Sequence, residues 1–332
     1  MQQTLKDLDA ACRDHGTFRV HWCSKRRWNP SFRFPAGNHI TVERLGKRKA
    51  RAELPKLGWV SFRWSRHLDG QVRSVTLSRD GRHWFVSFLV EDGKQTPQQH
   101  PSESVVGVDR GVAAAVACSD GTMRDRQFAA PGEQRRYRRL QQKLARQQRG
   151  SANRQKTVAK MNRIKRRERD RRDDFTAWTG SRLAGLHGTV ALEDLRTRNM
   201  TGIAKGTVEQ PGSQVRQKAG LNRAILDKGW HELELALRSA ARYTGARTVE
   251  VPAAYTSQTC SRCRRVDPVS RESQARFRCT TCGHCENADV NAAKNVLADG
   301  LSVSACGDSP SGGSVKQELA GTREVLPHRP AA

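Results

Sequence analysis

The chain contains few aromatic residues and no long apolar segment. Phenylalanine, tryptophan and tyrosine make up 6% of its 332 residues, and the longest uninterrupted apolar run covers only residues 112–118. A membrane-spanning helix needs about 18 or more apolar residues, so we expect neither a membrane span nor a membrane partner. Residues 1–13 are too polar for a secretory signal, which predicts a cytoplasmic protein.

Acidic residues are scarce relative to basic ones. The chain has 33 aspartates and glutamates against 60 lysines and arginines, a formal net charge of +27. Residues 133–172 hold 17 of the basic residues and three acids, and apolar residues at helical spacing on both sides of residues 150–151 predict a basic helical hairpin. A merely solvated helical face would mix both signs of charge. We therefore interpret this segment as a phosphate-binding surface whose nucleic-acid affinity falls steeply with salt.

The length allows about two domains, and the pattern changes near residue 100. Short β-forming runs in residues 31–91 predict a small β-barrel-like module, and a polar linker follows. We interpret the aromatic residues Phe32, Phe34, Phe62 and Trp64 of this module as its own core rather than as a base-stacking surface. The predicted runs are 31–34, 39–43, 59–64, 71–77 and 83–90, with Asp80-Gly81 as a hairpin turn.

Beyond the linker the pattern is that of an α/β domain. Buried strands at 105–108 and 112–118, with a third after a turn, predict an antiparallel meander. Further strands are predicted at 189–192 and 248–251, and one amphipathic helix at 222–243.

Cysteine is uncommon outside one segment. Four of the nine cysteines form two pairs that are separated by 15 residues, Cys260 with Cys263 and Cys279 with Cys282. Two such pairs are typical of a four-thiolate zinc site, which leaves no open coordination position and therefore serves folding rather than catalysis. His284 and Cys285 are alternative ligands.

Three acidic residues are candidates for a catalytic site. Asp109 and Glu193 follow predicted strands, and Asp289 precedes a predicted helix. Each alone has a structural explanation as a turn residue, a strand end or a helix cap. Together, at one side of a sheet, they can gather around Mg²⁺ or Mn²⁺, which is the arrangement that metal-assisted phosphodiester hydrolysis needs.

These motifs, in this order, resemble the TnpB (OrfB) family of bacterial and archaeal insertion sequences, which is related to the type V CRISPR effector nucleases. The resemblance runs from about residue 31 to residue 318. Its most specific blocks are GVDRG at 107–111, LEDL at 192–195, TSQTC at 256–260 with Cys263, and CTTCG at 279–283 running into NADVNAAKN at 287–295. Further similarity lies at 305–308 and 316–318.

The resemblance implies an α/β plus β architecture. Its nuclease domain is an RNase H-like (RuvC) mixed sheet with an inserted basic hairpin and a zinc ribbon, and a wedge-like β-barrel module precedes it. The implied parts are a remnant of a helical recognition region (1–30), an RNA-binding wedge-like module (31–95), the nuclease domain (104–259 and 286–300), the zinc ribbon (260–285) and a flexible tail (301–332). The chain begins inside what resembles the recognition region, so we expect an N-terminally truncated form.

By the same resemblance, Asp109, Glu193 and Asp289 bind catalytic Mg²⁺ or Mn²⁺. The implied partners are a guide RNA from the transposon end and a target DNA, and the implied location is the prokaryotic cytoplasm at the nucleoid. We therefore expect a transposon-encoded RNA-guided DNA endonuclease, often labelled a transposase. The alternatives are a nucleic-acid-binding protein that does not cleave, a transposase that joins strands itself, and a zinc-ribbon structural or transcription protein.

Overall fold

The computed structural model describes residues 2–20, 30–81, 83–207 and 210–305. These form two compact units that divide between Lys94 and Gln95. In the described ranges no helix is both long and apolar enough to span a bilayer. The predicted motifs at 306–308 and 316–318 lie outside the described residues.

The first unit begins with a helix and continues into six strands. They are α1 (Gln2–His15), β1 (Ser31–Phe34), β2 (Thr41–Arg44), β3 (Lys49–Leu54), β4 (Gly58–Arg63), β5 (Gln71–Asp80) and β6 (His83–Glu91). Among these strands the hydrogen-bond ladders form two antiparallel sheets, in the orders β1-β5-β6 and β2-β3-β4. One core joins residues from both sheets, with Ala52 and Leu54 on β3 packed together with Val75 and Leu77 on β5.

Strand β3 is absent from the sequence prediction, although it is the central strand of its sheet. Its residues KARAEL are mainly good helix formers, so local propensity gave no strand signal. β3 pairs with β2 and β4. Its alternate residues Ala50, Ala52 and Leu54 are buried, and the last two pack against β5. Pairing with two neighbouring strands and burial in the core therefore override the local preference of these residues for a helix.

The aromatic residues of this unit divide into two groups. Phe34, Phe62 and Phe88 pack against the core, as the sequence predicts. Phe32 and Trp84 are half-exposed and stack on each other with ring centroids 6.2 Å apart. The interpretation of the predicted aromatic residues as core is therefore correct for Phe34 and Phe62 and wrong for Phe32.

The second unit contains the remaining elements. They are β7 (Val105–Asp109), β8 (Val116–Cys118), β9 (Met123–Arg124), α2 (Pro131–Ala145), α3 (Ala152–Leu186), β10 (Thr189–Asp194), α4 (Thr197–Met200), α5 (Val215–Lys228), α6 (Trp230–Thr244), β11 (Arg247–Pro252), β12 (Arg276–Arg278), β13 (Cys285–Asn287) and α7 (Ala288–Ala305). The last helix thus continues past residue 301, where the sequence predicts the start of the tail.

The main sheet of this unit has the order β11-β10-β7-β8-β9. Strands β11, β10 and β7 are parallel, and β8 and β9 add an antiparallel edge, so the expected mixed sheet is present. Helix α7 lies close against β7, because a Cβ at Gly107 would come within 2.1 Å of the carbonyl oxygen of Ala293. Only glycine permits this approach, so Gly107 allows α7 to pack directly against β7.

The basic segment forms two helices, α2 and α3, which contact each other. The hydroxyl of Ser151 accepts a hydrogen bond from the backbone amide of Arg154 and caps α3. Glu133 on α2 accepts hydrogen bonds from Arg167 and Arg171 on α3, the latter at 2.5 Å. These charge-assisted bonds hold the two helices together.

The prediction of one helix at 222–243 is wrong, because the structure has two helices, α5 and α6. They meet at Gly229, whose φ of +71° is a left-handed conformation that ends a helix. A Cβ at this position would also lie 2.7 Å from the side chain of Arg172. Apolar periodicity on both sides of a glycine does not reveal such a break.

Candidate active site and metal centre

The fold brings the three predicted acids to one edge of the main sheet. Asp109 is the last residue of β7. Glu193 lies opposite it on the parallel strand β10, one position after the pair formed by Val108 and Leu192. Asp289 lies in the first turn of α7. A Cβ on Gly111 would lie 3.6 Å from Oδ2 of Asp289 and 3.8 Å from Oδ2 of Asp109, so both carboxylates face the same glycine.

Burial and mutual repulsion make these acids difficult to ionise. The pKa of Asp109 rises to about 8, first because the group is desolvated and then because Glu193 and Asp289 carry like charges. Burial also raises the pKa of Glu193 and of Asp289. Asp109 lies opposite Glu193 across the sheet and faces Gly111 together with Asp289.

The chemistry of this donor set suits a hard divalent cation. Buried carboxylate oxygens that repel one another are stabilised when Mg²⁺ or Mn²⁺ lies among them. Within the described residues, the four cysteines are the only group of three or more His, Cys, Asp or Glu side chains whose possible metal-binding atoms all lie within 4.8 Å of one another. The three acids are spaced more widely than that.

Two arginines border the acids, and sequence reasoning missed both. Arg110 is buried and donates hydrogen bonds to the backbone carbonyls of Glu193 and Trp230. Arg271, from the segment between the cysteine pairs, donates to Oδ1 of Asp289. Both guanidinium groups lower the pKa of Asp109 and oppose the effect of burial. The only sequence signal for a role of Arg110 at the site is its position directly after Asp109.

Sequence reasoning also missed the role of Thr256. Its hydroxyl donates a hydrogen bond to Oε1 of Glu193 at 2.5 Å, which opposes the rise in the pKa of that carboxyl.

An open cleft exposes part of the site to solvent. Its lining includes Asp109, Glu193, Arg196, Trp230 and Thr256.

The four predicted zinc ligands converge. The Sγ atoms of Cys260 and Cys282 are 3.7 Å apart, and those of Cys263 and Cys279 are 3.6 Å apart. Zinc–sulfur bonds of about 2.3 Å in a tetrahedron require sulfur atoms about 3.8 Å apart, so the cluster fits one zinc ion. The alternative ligands His284 and Cys285 are not members of the group.

Much of the basic surface of α2 and α3 faces solvent. Exposed residues on these helices include Arg135, Arg139, Lys156, Lys160 and Arg163. Their density on two contacting helices produces a local positive field that attracts phosphates.

Two family models match parts of this chain, and known proteins are similar to it over most of its length. A family model described as "Probable transposase" matches residues 87–204, and one described as "Cas12f1-like, TNB domain" matches residues 230–296. The chain is 40% identical over 321 residues to "Putative RNA-guided DNA endonuclease InsQ" of Escherichia coli (strain K12), covering 96% of this chain and 78% of that protein.

A second relative is "Putative RNA-guided DNA endonuclease" of Streptomyces pristinaespiralis. It is 35% identical over 258 residues, which are 75% of this chain and 58% of that protein. Among solved structures, a Cas12f1–sgRNA–target DNA complex aligns with a TM-score of 0.45 and 16% identity, over 69% of this chain and 46% of that chain.

Proposed function

Because this chain belongs to the TnpB (OrfB) family of transposon-encoded RNA-guided DNA endonucleases, we propose that it hydrolyses DNA phosphodiester bonds at the three-acid site under the direction of a guide RNA. The observation that carries this proposal is the convergence of Asp109, Glu193 and Asp289 at one sheet edge, where each has a raised pKa. The mixed sheet and the placement of the acids support an RNase H-like (RuvC) fold for residues 104–259 and 286–300.

Asp109, Glu193 and Asp289 would hold Mg²⁺ or Mn²⁺. When bound, such ions activate the attacking water and stabilise the charge that develops on the leaving oxygen. Arg110 keeps the backbone of Glu193 in place through its bond to the carbonyl oxygen. The open cleft gives a DNA strand access to Asp109 and Glu193.

The other parts of the chain would bind and position the nucleic acids. Cys260, Cys263, Cys279 and Cys282 would hold a structural zinc ion that folds residues 260–285. The exposed cations of α2 and α3 would neutralise phosphates of the RNA or the DNA. Residues 31–95 would form a wedge-like RNA-binding module, with the half-exposed pair Phe32 and Trp84 available to stack on bases.

The test is plasmid cleavage by protein that is co-expressed with its native locus, so that any bound RNA is carried along. We expect Mg²⁺-dependent cutting that Asp109→Asn abolishes, while RNA still co-purifies with the variant. Bound RNA without cutting by the unmodified chain would overturn the proposal in favour of a protein that binds nucleic acid without cleaving it. Cutting that survives in the variant would show that the reaction occurs elsewhere.

A further inference from the structure

The first cysteine knuckle is linked to the acid site through one hydroxyl group. Thr256 precedes the zinc ligand Cys260 by four residues, and its Oγ1 lies 2.5 Å from Oε1 of Glu193. Both side chains are buried, with 4% and 6% exposure. A hydrogen bond to a carboxylate at this distance is short and strong, so Thr256 restricts the rotation of the Glu193 carboxylate.

The hydroxyl of Thr256 has a second neighbour, the carbonyl oxygen of Ala253 at 3.2 Å. A hydroxyl carries one hydrogen, and the shorter of the two contacts, the one to Glu193, takes it. The bond is made to Oε1 of Glu193, and Oε2 accepts no hydrogen bond from Thr256. Thr256 therefore orients the carboxylate and leaves its other oxygen for a cation.

The backbone around Thr256 is itself held by helix α7. The side-chain amide of Asn295 donates to the carbonyl oxygens of Thr256 at 2.8 Å and of Thr259 at 2.7 Å. Both asparagine and threonine are buried, where such bonds are costly to break. The position of the Thr256 hydroxyl is thus set by α7, the helix that also carries Asp289.

A second asparagine of α7 fixes the zinc ligand. Asn291 donates to the carbonyl oxygen of Thr259 at 2.8 Å and accepts from the backbone amide of Ser261 at 2.9 Å. These contacts hold the backbone on both sides of Cys260. One helix therefore anchors a zinc ligand, the threonine that orients Glu193 and the acid Asp289.

We propose that Thr256 is a positioning residue that orients Glu193 for divalent-cation binding, and that the cysteine knuckle and the acid site form one coupled unit through it. The inference rests on the proposed function, because it assigns Glu193 to the cation site. Hydrogen bonds to metal-binding carboxylates are worth about 10- to 100-fold in metal affinity, so loss of the Thr256 hydroxyl has an effect of that size.

The experiment compares Thr256→Val, which keeps the shape of the side chain, with Thr256→Ser, which keeps the hydroxyl. Mn²⁺ binding to the full chain is followed by electron paramagnetic resonance, and zinc content and thermal unfolding are measured for each variant. The matched control is Thr280→Val, because Thr280 donates a bond of the same length, 2.5 Å, to Asp267 in the same zinc ribbon.

We expect Thr256→Val to retain zinc and to lose Mn²⁺ affinity by about 10- to 100-fold, while Thr256→Ser restores it and Thr280→Val binds Mn²⁺ normally. In the cleavage assay, Thr256→Val should lower kcat without raising KM for DNA. Wild-type Mn²⁺ affinity in a zinc-loaded Thr256→Val protein would overturn the inference. If Asp109→Asn leaves Mn²⁺ binding unchanged, it is instead the proposed function that fails.

Discussion

The guanidinium of Arg271 lies 3.2 Å from Oδ1 of Asp289, so a cation from the zinc-ribbon segment reaches the acid site. Its charge lowers the pKa of Asp109, Glu193 and Asp289. It therefore provides part of the positive charge that the three acids need. A divalent cation bound by the same acids competes with this interaction.

Replacing Arg271 with glutamine removes that competition. We expect Arg271→Gln to bind Mn²⁺ about fivefold more tightly, which corresponds to roughly 1 kcal/mol for a partly exposed pair, and to unfold at a lower temperature without divalent ions. Arg276→Gln is the control, since Arg276 pairs with Glu272 in the same ribbon. Equal Mn²⁺ affinity in both variants and in the wild type would contradict this account.

Arg110 is expected to contribute strongly to stability. It is 3% exposed and connects β7 with the carbonyl oxygens of Glu193 and Trp230 and with the carboxylate of Glu234. Arg110→Met leaves these acceptors without their donor, which costs roughly 2–4 kcal/mol. Urea unfolding measures the loss.

The control for this prediction is Arg126→Met. Arg126 pairs with Asp174 at 2.9 Å, but both side chains are well exposed, and such pairs contribute less than about 1 kcal/mol. Similar destabilisation by the two substitutions would show that burial of Arg110 has no special importance.

The zinc site is expected to use four sulfur atoms and no substitute. Cys263→Ser should lose its zinc and leave the ribbon sensitive to proteolysis, because the closed four-thiolate shell is broken. Cys285→Ser should keep one zinc per chain, since Cys285 lies outside the group. Zinc content by mass spectrometry decides, and loss of zinc from Cys285→Ser would show that Cys285 is a ligand.

The contact between α2 and α3 should weaken in acid. Hydrogen bonds from Arg171 and Arg167 lower the pKa of Glu133 from 4.5 to about 2. A carboxyl whose pKa is lower in the folded chain than in the unfolded chain stabilises the fold at pH values above its unfolded-state pKa. This contribution is lost as the pH falls towards the folded-state pKa. Glu133→Gln should therefore be less stable at pH 7, by about 1 kcal/mol after allowance for the exposed arginines.

This difference should disappear as the pH falls from 4.5 towards 2. Thermal unfolding of the wild type and of Glu133→Gln at several pH values tests it. A constant difference across that range would mean that the charge of Glu133 does not contribute.

The exposed cations of α2 and α3 should control nucleic-acid affinity. Charge reversal by Arg135→Glu and Arg139→Glu removes phosphate contacts, so the affinity for RNA should fall and its dependence on salt should become shallower. Arg242→Glu makes the same kind of change at an exposed position on α6 and serves as the control. An equal effect of Arg242→Glu would indicate general charge rather than a binding surface.

Local sequence determined much of this protein. Short runs of apolar, β-forming residues determined most strands, including the continuous buried runs of β7 and β10 with Asp109 and Glu193 at their ends. The spacing of the cysteine pairs determined a four-sulfur cluster that the structure brings together. These features depend on residues that are close in the chain, where periodicity and spacing are direct signals.

Only the tertiary structure decided which groups surround the acids. Arg271, Thr256 and Arg110 reach the site through contacts with partners 18, 63 and 83 residues away in the chain, and no local pattern specifies such contacts. The same holds for β3, whose helix-favouring residues become a buried strand only between two neighbours. Burial and electrostatics act between groups that the fold assembles, so the pKa of Asp109 and the orientation of Glu193 depend on the folded chain.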